Sequence, residues 1–259
     1  GVLGVLLVAI WAVSLTLGSY DIDLETLWTT LSGTTVSAAI DNVVWQFRMP
    51  RALVAALAGA MMALSGGAMQ NVTRNGLADP SLIGISQGAA LAVVSAIVVF
   101  PQLGSGWRPF IAFGGALGVA VLVQALSFQR RGNNTISRIM SVLRMGEDTA
   151  IGLGASVRWA RYGLICVGVG FAAAATAIVG PLGFVGLIAP HAARRIARSG
   201  IGIHTLLTGL CGAVLVSVAD LIGRAAFAPI QLPAGLITSI IGVPVFIYLL
   251  QRAAAKSHL

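Results

Sequence analysis

Few side chains in this chain could do chemistry, and most of those lie in or beside long apolar runs. Asp220, in the stretch ADLIGR, is the one acidic residue inside such a run. An ionisable group at membrane depth is costly to hold and is a functional candidate by default. Arg224, one helical turn later on the same face, offers a plain i, i+4 ion pair as the structural alternative. Sequence alone weighs the two evenly. His191, His204 and His258 are the only histidines and form no HExxH pattern, and Ser65 and Ser86 have no base beside them. Cys166 and Cys211 sit in apolar runs without CxxC or metal-ligand spacing, and read as small buried hydrophobes. Lys256 is the only lysine. A P-loop needs a lysine between its glycine loop and its helix to hold nucleotide phosphates. ATP hydrolysis is therefore expected only in a separate partner chain; this chain is expected to be no enzyme and to carry no cofactor.

Three polar segments stand out between the runs. Thr73-Arg74-Asn75-Gly76-Leu77-Ala78-Asp79-Pro80 contains Asn-Gly and Asp-Pro steps, which mark a tight turn. Asp79 can cap a helix that starts at Pro80. The segment 145–154 reads as a short helix outside the membrane, with Glu147 and Asp148 near its start and Gly154 at its end. The segment 183–195 carries Pro190, His191 and the pair Arg194-Arg195. Each, taken singly, is equally an ordinary capped turn with positive charge beside a membrane.

The elements that would position these residues are membrane helices. The chain is 57% hydrophobic and 9% charged, where a soluble domain carries roughly 25% charged residues. Its solvent is therefore lipid. A span needs about 20 apolar residues, and runs at 2–18, 52–72, 82–101, 109–128, 162–180, 184–197, 204–223 and 235–251 predict an all-α, polytopic membrane helix bundle. The sixth run is short and holds Pro190; Pro181 and Gly183 predict a break before it. The run at 2–18 has no charged region before it and no clean cleavage site after it, which predicts a first transmembrane helix with a trimmed N-terminus. Small residues four apart, Gly59, Ala63 and Gly67, and again Gly114 and Gly118, predict close helix crossings.

The net charge of +8 does not point to nucleic acid, because the basic residues lie between apolar runs. With the connection after the second run placed in the cytoplasm, that side holds twelve Arg and Lys against four, Arg48, Arg51, Arg108 and Arg224, on the other. This asymmetry predicts a cytoplasmic C-terminus. The connection 129–161 fits poorly, since loops beyond about 12–15 residues without structure of their own are uncommon.

Several stretches, in order, resemble one family. Arg48-Met49-Pro50-Arg51 with ALVAALAGAMMALSGGAMQ, then TRNGLADPSLIGISQGAAL, GEDTAIGLG, GPLGFVGLIAPHAARR, ADLIGR and LPAGLITSIIGVPVFIYLL are similar to the FecCD-type permease subunits of bacterial ABC importers. That family takes up iron-siderophores, haem and cobalamin. Gly76 stands where the family usually has Pro, and Gln231 where it has Glu.

The resemblance implies a homodimeric permease in the bacterial inner membrane. ATP-binding cassette ATPase subunits would dock on the cytoplasmic side, and a periplasmic or lipid-anchored substrate-binding protein outside. It further implies ATPase coupling through Glu147, Ala150 and Gly154, with Arg74, Asp79, His191 and Arg194 on the same face. Arg48, Arg51 and Arg224 would meet acidic residues of the binding protein. An iron-siderophore complex is the expected substrate, with haem or cobalamin next.

The family typically has ten spans and this chain eight. Residues 1–259 are thus one permease domain, and the family's fifth and sixth spans belong near 138–142. We expect the natural protein to carry that two-span segment, although a deleted variant is the other reading. A stand-alone secondary transporter or channel is the alternative function; it would need intramembrane charges to couple ions, and only Asp220 offers one.

Overall fold

The structure is a computed structural model and describes residues 2–17, 22–34, 37–129, 157–196, 200–226 and 230–257. Among them every regular element is helical. The first are α1 (Val2–Thr16), α2 (Leu24–Leu31) and α3 (Ala38–Asn42), which runs through a π-helical stretch, Val43–Arg48, into α4 (Met49–Thr73). After a 3-10 turn at Pro80–Ile83 come α5 (Ile85–Val99) and α6 (Arg108–Gln129). α7 (Val157–Val179), α8 (Val185–Ile196), α9 (Ile201–Ala225) and α10 (Ala234–Ser257) complete the bundle.

Three stretches, Ala38–Thr73, Gly202–Ala225 and Ala234–Gln251, are long and apolar enough to cross a membrane; Val2–Thr16, Ile85–Val99, Arg108–Val123 and Gly163–Val179 are shorter apolar helices. The run expected as a span at 184–197 holds a helix shorter than a span. α8 has 12 residues, about 18 Å at 1.5 Å per residue, against a hydrocarbon core of about 30 Å. It lies instead beside the second half of α4, with Val185, Gly186, Leu187 and Ala189 buried.

α4 is the centre of the packing, and its small residues let it be so. A Cβ built on Gly59 would stand 2.3 Å from the Gly212 carbonyl oxygen, and one on Gly212 would stand 2.4 Å from Ala63 Cβ. These two positions behave as expected for a close crossing. The third close approach is at Gly66, whose Cβ would meet the Gly186 carbonyl oxygen at 2.0 Å. Gly67, the expected position, would make only an ordinary contact at 3.6 Å with Thr208 Cγ2. Gly114 and Gly118 have nothing within 4 Å; α5 and α6 cross through Gly88 and Gly115 instead. A four-residue spacing defines a stripe on a helix, but only the neighbouring helix decides which of two adjacent stripes turns inward.

The break expected before α8 is present. Gly180 has φ 92° and Phe184 φ 63°, a left-handed value uncommon for a bulky residue. Irregular backbone at this depth is tolerated where protein surrounds it, and here α10 does so. A Cβ on Gly235 would stand 1.9 Å from the Pro181 carbonyl oxygen, and one on Gly242 2.3 Å from Phe184 Cβ. Leu182 is fully buried. The Phe184 ring leans on Phe246, centroids 5.8 Å apart.

Candidate functional site

α4 carries a polar cluster at each end. At its start, Arg51 Nε and Nη2 donate to Asp220 Oδ1 at 3.1 and 2.9 Å, and Arg51 Nη1 donates to Gln231 Oε1 at 2.8 Å. Arg224 Nε donates to Asp220 Oδ2 at 3.1 Å, and its Nη2 to Ser14 Oγ. Both oxygens of the Asp220 carboxylate are therefore taken by guanidinium donors, and the side chain is 9% exposed. The pairing with Arg224 read from the i, i+4 spacing is present. Arg51 is a second partner that no local spacing could reveal, since 169 residues separate it from Asp220. The cluster ties α1, α4 and α9 to the segment leading into α10.

Arg48 lies one turn before Arg51 and is buried. Its Nη1 donates to the Thr16 carbonyl at 3.0 Å and also to that of Leu15. These are last-turn carbonyls of α1, which lack partners within their own helix and carry the negative end of its dipole. Arg48 and Arg224, expected at an outer docking surface, are thus engaged inside the chain. Burying a guanidinium demands acceptors, and α1 and Asp220 supply them. Of the three expected docking residues only Arg51, with 40% of its side chain exposed, keeps an open edge.

The second cluster lies at the far end of α4. Gln70 is 3% exposed. Its Nε2 donates to the Gly186 carbonyl at 3.2 Å, and its Oε1 accepts from Arg194 Nη2 at 2.8 Å. α4 ends at Arg74, exposed and left-handed at φ 52°. The following turn is closed by Asn75 Oδ1, which accepts from the Leu77 N–H at 3.0 Å. Asp79 caps the 3-10 turn as expected, its Oδ1 accepting from the Ser81 N–H at 2.7 Å and from Ser81 Oγ. Asp79 is 1% exposed. Burial pushes its carboxyl above the ordinary range, partly offset by the hydrogen bonds it accepts from Ser81. His191 and Arg194 both lie on α8, His191 partly buried and Arg194 exposed beyond its bond to Gln70.

Arg74, Asp79, His191 and Arg194 are thus gathered at one end of the bundle. Glu147, Ala150 and Gly154 lie outside the described residues. Gln70 was missed by sequence reasoning. Its only signal was an amide at the end of the small-residue run ALVAALAGAMMALSGGAMQ. Among the described residues no group of three or more His, Cys, Asp or Glu could hold a metal ion.

The profile of the FecCD transport family matches residues 6–141 and 134–252, which together take in both polar clusters. The chain belongs to the FecCD transport family. Its relatives include the Fe(3+)-citrate import system permease protein of Bacillus subtilis, 29% identical over 318 aligned positions that cover 98% of this chain and 95% of the relative. The achromobactin transport system permease protein of Dickeya dadantii is 31% identical, covering 96% of this chain and 88% of the relative. The hemin transport system permease protein of Yersinia pestis is 30% identical over 322 positions, covering 97% and 95%. A solved structure described as an inward-facing ABC transporter of metal-chelate type superposes with a TM-score of 0.76 at 23% identity, covering 96% of this chain and 97% of that one. At that identity the likeness speaks for the fold. As a FecCD family member the chain is an α-helical, multi-pass membrane permease.

Proposed function

We propose that this chain is the membrane subunit of an ABC importer that carries an iron chelate, a siderophore complex first and haem next. The observation that carries the reading is the family match across both ends of the chain, with relatives named for Fe(3+)-citrate, achromobactin and hemin. The FecCD permease would pair with a second permease copy and draw its energy from separate ATPase subunits. The end with Arg74, Arg194 and Arg195 faces the cytoplasm, as does the C-terminus, because basic residues concentrate there. Glu147, Ala150 and Gly154 are the proposed contacts for the ATPase, with Arg74, His191 and Arg194 as further contacts on the cytoplasmic side. At the other end Arg51 offers its open edge to an acidic binding protein.

The test is copurification followed by hydrolysis. The FecCD permease should bring down an ATP-hydrolysing chain whose rate in lipid discs rises with iron-loaded binding protein. Glu147→Arg with Gly154→Leu should abolish that rise and leave the spans folded. A permease that purifies without any ATPase and still moves substrate would replace this reading with the stand-alone transporter.

We also propose that the natural protein carries a further two-span segment near 138–142. The alignment with the Fe(3+)-citrate permease has 318 positions, 59 more than the chain has residues, which is close to two spans of about 20 residues with their connections. The two family matches also overlap at residues 134–141. Intact mass of the protein purified from its source decides this. A value clearly above 26.5 kDa is expected; a value equal to it means a true deletion.

A further inference from the structure

Pro190 leaves a carbonyl without its donor. In an α-helix residue i donates its N–H to the carbonyl of residue i−4, and proline has no N–H to give. Pro190 lies inside α8, so the orphaned carbonyl is that of Gly186. Gly186 is buried, wedged where a Cβ on it would meet Pro80 Cδ at 3.0 Å and Gly66 Cα at 3.1 Å. A buried carbonyl without a partner is costly. The partner here comes from another helix: Gln70 Nε2 donates to that oxygen at 3.2 Å.

The other end of the same amide accepts from Arg194 at 2.8 Å, and Arg194 lies one turn past Pro190. The amide has no freedom to turn over, since a carbonyl can only accept and a guanidinium can only donate. One side chain of α4 therefore straddles the proline of α8, serving the residue one turn before it and the residue one turn after it.

We infer that Gln70 is a positioning residue: it replaces the hydrogen bond that Pro190 removes from α8, and holds Arg194 for the ATPase partner. A bond that would have closed within α8 is transferred to α4, so the two helices move as one body. The Gly66–Gly186 contact one turn away leaves no slack between them. The role of Arg194 toward an ATPase rests on the proposed function; the replacement of the lost bond does not.

The test separates the two halves. Gln70→Met keeps length and burial but loses both hydrogen bonds. The Tm of the purified permease in detergent should fall by roughly 2–4 °C or more, and its complex should lose substrate-stimulated hydrolysis. Pro190→Ala returns an N–H at position 190 that can serve Gly186 from within α8. Gln70→Met with Pro190→Ala should therefore recover the Tm while stimulation stays lost, because nothing then holds Arg194. A Tm that Pro190→Ala does not recover would overturn the replacement. Full stimulation in the double variant would overturn the positioning of Arg194. If Gln70→Met alone does not accumulate, accumulation restored by Pro190→Ala reports the same rescue, and continued failure refutes it. Absence of any ATPase from the complex sinks the importer reading and leaves the Tm comparison to decide for Gln70.

Discussion

Arg51 and Asp220 join helices α4 and α9 across 169 residues of sequence, with Arg51 Nη2 2.9 Å from Asp220 Oδ1. Arg224 holds the other oxygen of the same carboxylate at 3.1 Å. The two pairs are not equivalent, because the Arg224 side chain is 12% exposed and that of Arg51 40%.

Asp220→Ala should therefore be the costliest change in this cluster. It leaves the Arg224 guanidinium largely buried without a counter-charge, a situation that costs roughly 3–5 kcal/mol when a buried pair is broken. Arg51→Met should cost far less, about 0–1 kcal/mol, because solvent screens an exposed pair. Thermal unfolding in detergent of the two variants checks the order. Equal losses would mean that burial does not set the strength of these pairs.

The glycines of α4 should rank by what their missing Cβ would touch. Gly66→Ala forces a carbon to within 2.0 Å of a backbone oxygen, and Gly59→Ala to within 2.3 Å of another. Backbone cannot yield as a flexible side chain can, so each should cost at least about 1–3 kcal/mol. Gly67→Ala, at 3.6 Å from Thr208 Cγ2, and Gly114→Ala, with open space around it, should stay within about 0.5 kcal/mol. Melting of the four single variants measures the ranking; a tolerant Gly66 would mean that α8 is not pressed onto α4.

Docking of a binding protein should depend on Arg51 more than on Arg48 or Arg224. Arg51→Gln removes the charge at the one open guanidinium and keeps a hydrogen-bonding side chain beside Asp220. Association with the binding protein should slow at low salt with little change in thermal stability, as expected for a charge at an interface rim. Near 1 M salt, where the screening length is about 3 Å, the difference should vanish. Unchanged stopped-flow association at low salt would remove Arg51 from the docking surface.

Asp79 should give the permease a pH dependence of the less usual sign. Burial raises its carboxyl above the ordinary value of 3.8, so the folded state binds the proton more tightly than the unfolded one. Its contribution to stability is fully present below that ordinary value and is lost as pH rises through the folded one. Asp79→Asn cannot titrate and should flatten this part of the curve. Melting temperatures of both proteins across the acidic range check it; parallel curves would show that the dependence belongs to other groups.

What the sequence by itself determined is the solvent and the class. Apolar runs of span length, scarce charge and glycine-rich helices require a membrane bundle, whatever their arrangement. The Pro181–Gly183 break, the Asp79 cap and the Asp220–Arg224 pair were also legible, because each is local: proline geometry, capping and i, i+4 spacing act within a few residues. Only the tertiary structure decided the rest. That Gly66 and not Gly67 makes the close contact, and that Arg48 turns back onto α1, depend on neighbours 30 to 120 positions away. Gln70 shows the reason most plainly. Its place in α4 is ordinary until α8 brings Pro190 beside it, and a carbonyl orphaned in one helix can be served from another only after both have packed.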